Sequence, residues 1–148
     1  MVTTDAINGM EDTVEEWEEL EFMVDSGCGA TVVGPNDARA VKASEPDPTR
    51  NYKLADGSLT QDKGEKKFVA QTSDERWREI KARVTDVEKP LLSVSQVVQG
   101  GSTAVFSPSG SYIDSPGGVR MPIELRSNVY YLKMWVPEDQ TKPFHGQT

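Results

Sequence analysis

Turn-forming residues interrupt this sequence at short and regular intervals, and that spacing constrains the fold more than any other feature. Clusters of Gly, Pro, Asp, Asn and Ser recur roughly every 8 to 12 residues, a spacing typical of β-sandwiches and β-barrels. Between the clusters, apolar and other residues alternate, as in Leu20, Phe22 and Val24. This period of two indicates a strand with one buried face. The sequence therefore predicts a mostly-β fold with little helix.

A hairpin is predicted near the middle of the chain. Asp56-Gly57 lies between two runs that can extend, and Asp-Gly in that setting is a strong hairpin signal. Residues 52–54 would form the first strand and residues 67–71 the return strand.

Two helical segments are predicted. Residues 36–50 start at Asn36, a good N-cap residue, and indicate a short helical turn followed by a loop. Residues 91–98 run from an apolar strand into a short helix that ends at Gly100-Gly101. The remaining predicted strands are residues 77–87, 103–106, 112–113, 121–125 and 129–136, of which the last four would form a β-meander.

The length of 148 residues predicts one domain, large enough to enclose a core. Residues 1–13 have little apolar content and are interpreted as a loose acidic leader. Residues 14–136 would form the folded domain, and residues 137–148 a polar C-terminal tail.

Composition excludes several classes of function. The net charge of −8 disfavours a nucleic-acid-binding β-barrel, which needs clustered Lys and Arg. Cys28 and His145 are the single residues of their types, so neither a disulfide nor a Cys-based metal site can form within one chain, and no cofactor is expected. The sequence lacks both an apolar run of about 20 residues and a signal-peptide pattern. We therefore expect an intracellular, cytoplasmic protein without a membrane or nucleic-acid partner.

Asp25 is the strongest candidate for chemistry. It ends an apolar strand and begins the turn Asp25-Ser26-Gly27. Asp-Ser-Gly alone is a common structural turn, but a carboxylate beside a buried strand is costly to ionise unless it is hydrogen-bonded or shares a proton. Two such loops that meet at a twofold axis would hold one proton between two carboxylates, the state that activates water and protonates a carbonyl.

The segment around Asp25 resembles the active-site loop of retropepsins, the dimeric aspartic proteases. Their pattern of an apolar residue, Asp-Ser-Gly and a later Thr with two apolar residues is matched without a gap by residues 24–33. Two further segments, residues 54–58 and 91–96, resemble the protease region of copia-like retrotransposon polyproteins. The closing residues 105–132 resemble the same region, so the likeness covers most of residues 20–133.

The resemblance implies a retropepsin-like closed β-barrel, with one half-site per chain and a short helix near the end of the core. It also implies a homodimer that hydrolyses peptide bonds, with a retroelement polyprotein as the substrate. Asp25 would be catalytic, and Ser26 and Gly27 would support the active-site loop, with Ser26 contacting the other copy. Residues 91–93 would pack behind the loop. The substrate-binding residues would be Gly27, Cys28 and Gly29 in the loop, and Asp56, Gly57 and Ser58 at the tip of a flap.

The sequence departs from the family pattern at three positions. Cys28 stands where Ala is usual, Gly29 where viral members often carry a second Asp, and Ser93 where many relatives have Gly. Cys28 is interpreted as a small buried side chain rather than a nucleophile, because no His lies near it in the sequence. The departures leave an alternative open: a catalytically silent module of the same fold that dimerises or binds peptides.

Overall fold

The computed structural model describes residues 16–54, 57–117 and 120–141, and these residues form eleven strands and one short helix. The predicted leader, residues 1–13, lies outside the described residues, as does Asp56. The strands are β1 (Trp17–Asp25), β2 (Val32–Val33), β3 (Asn51–Lys53), β4 (Leu59–Gln61), β5 (Glu65–Thr72), β6 (Trp77–Val84), β7 (Leu91–Ser93), β8 (Thr103–Val105), β9 (Ser111–Asp114), β10 (Arg120–Arg126) and β11 (Val129–Pro137); the helix is α1 (Val94–Gln99).

Nine of the strands form one sheet, in the order β1-β7-β2-β6-β5-β11-β10-β9-β8. Strand β11 pairs with β5 and β10 and also with β1. Neighbouring strands can therefore be followed from β1 through β7, β2, β6, β5 and β11 back to β1. Strands β3 and β4 form a separate two-stranded sheet. The prediction of a mostly-β fold is therefore confirmed.

The core lies where strands alternate between buried and exposed residues. In β1 the side chains of Leu20 and Phe22 are buried, and in β5 those of Phe68 and Ala70. Because successive side chains point to opposite faces of a strand, this alternation turns one face inward. Strand β11 contributes three more buried residues, Leu132, Met134 and Val136.

Most of the predicted elements are present. Residues 17–25 form a strand, and the apolar segment at residues 91–93 continues directly into α1, which Gly100 caps. The predicted meander is formed by β8, β9, β10 and β11. Alternation and turn residues were sufficient to locate these elements.

The prediction that residues 67–71 return the hairpin was wrong. The return strand is β4, which pairs with β3 through Asn51↔Gln61 and Lys53↔Leu59. Gly64, at φ 110°, then redirects the chain, and a Cβ there would lie 2.2 Å from the Ser44 carbonyl oxygen. Residues 67–71 follow this turn and pair with β6 and β11.

The predicted helical turn within residues 36–50 was also wrong, because this segment forms irregular turns. The Nζ of buried Lys66 donates hydrogen bonds to the carbonyl oxygens of Pro35, Asp37 and Ala38 at 3.4, 2.7 and 3.2 Å. Ala38 adopts φ 55°, a left-handed conformation that interrupts a helix. Lys66, distant in the sequence, thus donates hydrogen bonds to carbonyl oxygens that in a helix would accept from backbone N–H groups.

The first residues of the predicted tail pack against the sheet. Pro137 ends β11, and the side chain of Gln140 both accepts from and donates to the backbone of Val69, at 2.8 and 3.2 Å. Residues 142–148 lie outside the described part of the chain. Within the part described, no helix has the length and apolar character needed to cross a membrane.

Candidate active site

Asp25 is held by the strand that precedes it and by a turn. It is the last residue of β1, next to Ser93 in the parallel pair β1–β7, and its side chain is half-buried. The backbone N–H of Gly27 donates a 2.8 Å hydrogen bond to Asp25 Oδ1. Ser26, Gly27 and Gly29 are exposed beside it. The carboxylate is thus oriented by its own loop and remains open to solvent on one side.

Ser93 fixes the far side of this loop. It is fully buried, and its Oγ donates to the Cys28 carbonyl oxygen at 2.6 Å. The same Oγ accepts from the backbone N–H of Gln96 at 3.2 Å and so caps α1. In addition, Ser93 N–H donates to Thr31 Oγ1 at 3.1 Å, and Gln96 Nε2 to the Gly29 carbonyl oxygen at 3.3 Å. Helix α1 and the Asp25 loop are thereby one hydrogen-bonded unit.

From the sequence, Ser93 was expected in the strand behind the loop and at a departure from the family pattern, but its hydrogen bonds with Cys28, Thr31 and Gln96 were not predicted. The sequence did contain a pattern for the helix cap, since Ser93-Val94-Ser95-Gln96 has the Ser-x-x-Gln spacing of a capping box. The contact between Ser93 and Cys28 spans 65 residues. Such a contact depends on the pairing of β1 with β7, which no local pattern encodes.

Replacing Ser93 with Ala is expected to lower the free energy of unfolding by about 1–3 kcal/mol, because a helix cap and a buried hydrogen bond are lost together. Chemical denaturation followed by circular dichroism measures the change. Ser73→Ala is the matched control, since Ser73 is exposed in the turn between β5 and β6. Equal stability of the two variants would show that Ser93 does not hold the loop.

The Cys28 thiol is half-buried and donates to the Ala30 carbonyl oxygen at 2.6 Å. Burial raises the pKa of this thiol, and the nearby negative charge of Asp25 raises it further. A raised pKa keeps the thiol protonated, whereas a nucleophilic cysteine needs a lowered one. The environment of Cys28 supports its interpretation as a small packed side chain.

A cleft of about 910 Å³ opens at the Asp25 loop. Asp25, Gly27, Cys28 and Gly29 line it, so the structure brings together four of the predicted site residues. Its apolar wall consists of Met23, Val32, Val87 and Leu91, and residues 49–54 form its rim.

Three other predicted site residues, Ser26, Gly57 and Ser58, are described by the structure and do not line this cleft, whereas Asp56 lies outside the described residues. Gly57 and Ser58 are exposed near the turn of the hairpin, and strand β3 borders the cleft. Gly57 adopts φ 87°, a conformation that favours glycine at this turn.

A buried ion pair at the base of the hairpin was missed by sequence analysis. The side chain of Asp62 is fully buried, and Arg83 binds both of its carboxylate oxygens, at 3.0 and 2.6 Å. Tyr52 Oη also donates to Asp62 at 2.6 Å. Burial disfavours ionisation, but the hydrogen bonds from Arg83, Tyr52 and two backbone N–H groups outweigh it and hold the pKa of Asp62 well below its usual value. This network joins β3 and β4 to β6.

A second contact joins the hairpin to the large sheet. Thr85 is fully buried, and its hydroxyl donates to the Gln61 carbonyl oxygen at 2.6 Å. The hydroxyl groups of Thr60 and Thr85 lie 2.9 Å apart. The hairpin is thus fixed at its base beside the cleft.

No protein-family model matches the sequence, and no curated protein is significantly similar to it. Asp25 is the only carboxylate among the described residues that line the cleft. One carboxylate can act as a base or as an acid at a given moment, but hydrolysis of an amide needs both actions at once.

Proposed function

We propose that this chain is one half of a retropepsin-like aspartic endopeptidase, active as a homodimer. The observation that carries the proposal is the position of Asp25. It ends β1, lines an open cleft, and shares this cleft with strand β3 of a hairpin that Asp62 and Arg83 fix at its base. A catalytic carboxylate beneath a flap would need this arrangement.

A second copy would supply the missing acid. Two Asp25 side chains at a twofold axis cannot both ionise at close range, so one pKa falls and the other rises. The pair then titrates as a unit and holds one proton. Ser26 is exposed beside Asp25 and is available for the contact with the other copy.

The strand pairing supports the corresponding fold. The pairs that lead from β1 through β7, β2, β6 and β5 to β11 and back to β1 are the pairs that a closed β-barrel would require. The hairpin of β3 and β4 would be the flap, with Asp56, Gly57 and Ser58 at its tip. Leu59, 69% exposed next to this tip, would be covered by a bound peptide or by the other flap.

Catalysis would proceed without a covalent intermediate. An extended peptide adds main-chain hydrogen bonds beside β3, in the manner of strand addition. The ionised Asp25 takes a proton from a bound water, which attacks the scissile carbonyl carbon, while the protonated Asp25 of the other copy donates to the carbonyl oxygen. The tetrahedral intermediate collapses when the C–N bond breaks: the leaving amine takes the proton that the first Asp25 removed from water, and a hydroxyl of the intermediate returns a proton to the Asp25 of the other copy. A polyprotein of a retroelement is the substrate that the resemblance suggests.

Incubation of the purified chain with a peptide library between about pH 4 and 7 tests this function. Cleavage with a bell-shaped pH dependence, blocked by a pepstatin-type inhibitor, is the expected result. Peptide binding without cleavage would instead assign the chain to the catalytically silent alternative. Neither binding nor cleavage would refute both.

A further inference from the structure

We infer that the cleft selects peptides with an acidic side chain within a few residues of the scissile bond, and that Arg50 and Lys53 recognise this side chain. The inference rests on the proposed function, because it names the substrate class of that site. The family resemblance does not itself imply it, since neither cation belongs to the matched segments.

The charges around the cleft carry the inference. Among the described residues that line the cleft, three are charged: Asp25 in its loop, and Arg50 and Lys53 in the rim. Both cations are exposed, and in the described part of the chain neither takes part in an ion pair. The rim of the cleft is thus positive, although the chain as a whole carries a net charge of −8.

The backbone under these two cations is fixed. The Arg50 carbonyl oxygen accepts from the N–H of Asp62 at 3.2 Å, and its guanidinium lies 5.9 Å from the centre of the Tyr52 ring. Lys53 is paired with Leu59 in the hairpin. Because the strand is held, the backbone positions from which both side chains start are fixed beside the cleft that they line.

Distance decides which charges act on a bound peptide. At physiological ionic strength the Debye length is about 8 Å, so most of the surface charge is screened from the cleft. Arg50 and Lys53 would contact the peptide directly and are screened less. An exposed ion pair changes an equilibrium roughly two- to fivefold, so the two cations together should give about a tenfold preference.

Matched peptides test the inference in two ways. One cleavable peptide is made with Glu and with Gln at each position near the scissile bond, and kcat/KM is measured at about pH 6, where Glu is ionised. Binding of the same pairs to the Asp25→Asn variant, by fluorescence polarisation, gives a readout that does not need hydrolysis. The test variant is R50Q/K53Q, and K67Q is the control, because Lys67 is exposed and does not line the cleft.

The expected result is about a tenfold preference for Glu over Gln at one or two positions in both assays. The preference should shrink with added salt, nearly vanish in R50Q/K53Q and persist in K67Q. Equal values for Glu and Gln peptides, or a preference that survives in R50Q/K53Q, would overturn the inference. Charge-selective binding without cleavage by the native chain would refute the protease function, but recognition of an acidic side chain by Arg50 and Lys53 would stand. A single-stranded oligonucleotide that binds more tightly than any peptide, and requires the same two cations, would also overturn it.

Discussion

Asp25→Asn should abolish peptide hydrolysis, lowering kcat/KM by at least about a thousandfold. An amide at this position cannot take a proton from water and cannot share a proton with its symmetry mate. The amide oxygen can still accept the hydrogen bond from the Gly27 N–H that Asp25 Oδ1 accepts at 2.8 Å. The variant should therefore fold and dimerise normally. Product formation by mass spectrometry measures the loss, and the circular dichroism spectrum and the mass in solution verify the fold and the dimer.

Asp86→Asn is the matched control for this prediction. It makes the same chemical change at an exposed carboxylate that pairs with Lys63 and does not line the cleft. Its activity should stay within about twofold of the native value, because exposed ion pairs contribute little. Full activity of the Asp25→Asn variant would end the proposal of an aspartic protease.

Asp62→Asn should lower the free energy of unfolding by up to about 3–5 kcal/mol, since breaking a buried ion pair is strongly destabilising. Arg83 would keep only the more distant, partly exposed Glu65, at 3.6 Å, of its two carboxylate partners among the described residues. The Asp62 side chain is fully buried, and Arg83 is 16% exposed. This loss is a large fraction of the roughly 5–15 kcal/mol that stabilises a typical domain. Urea denaturation measures it, with Asp86→Asn again as the control, expected to cost less than about 1 kcal/mol.

The same pair should make stability depend on pH. The pKa of Asp62 is lower in the folded chain than in the unfolded chain, so its stabilisation is complete above the ordinary carboxyl pKa of about 3.9. The stabilisation is lost as the pH falls below that value. The native chain should therefore lose more stability than Asp62→Asn between about pH 5 and 2.5. The stability of Asp62→Asn should still fall somewhat with pH, because a hydrogen bond from Arg126 also lowers the pKa of Glu21. Parallel curves for the two chains would show that Asp62 is not the group responsible.

Local patterns predicted the elements around Asp25 well. The alternation of residues 20–25 located β1, and the apolar run before Gly100 located β7 and α1. The Asp-Ser-Gly turn placed Asp25, Gly27, Cys28 and Gly29 at one loop, and the structure places all four at the cleft. These patterns involve residues that are neighbours in the sequence, so one sequence is enough to predict the elements from them.

Contacts between distant residues explain the errors. The segment after Pro35 forms no helix, because the carbonyl oxygens of Pro35, Asp37 and Ala38 accept hydrogen bonds from Lys66, about thirty residues away in the sequence. The return strand was misplaced because Gly64 must pass close to Ser44, which no turn motif reveals. The nearness of Arg50 and Lys53 to the Asp25 loop could not be predicted either, since it depends on where the fold places β3.

Titrating the native chain with the Asp25→Asn variant tests most directly whether two copies form one active site. The total of native chain is kept constant, and the variant is added to a ninefold excess under conditions where subunits exchange. If each site needs one Asp25 from each copy, random pairing leaves about one native chain in ten with a native partner, and activity falls to about a tenth. Activity that does not change with added variant would mean that a single chain hydrolyses peptides alone, and would contradict the account.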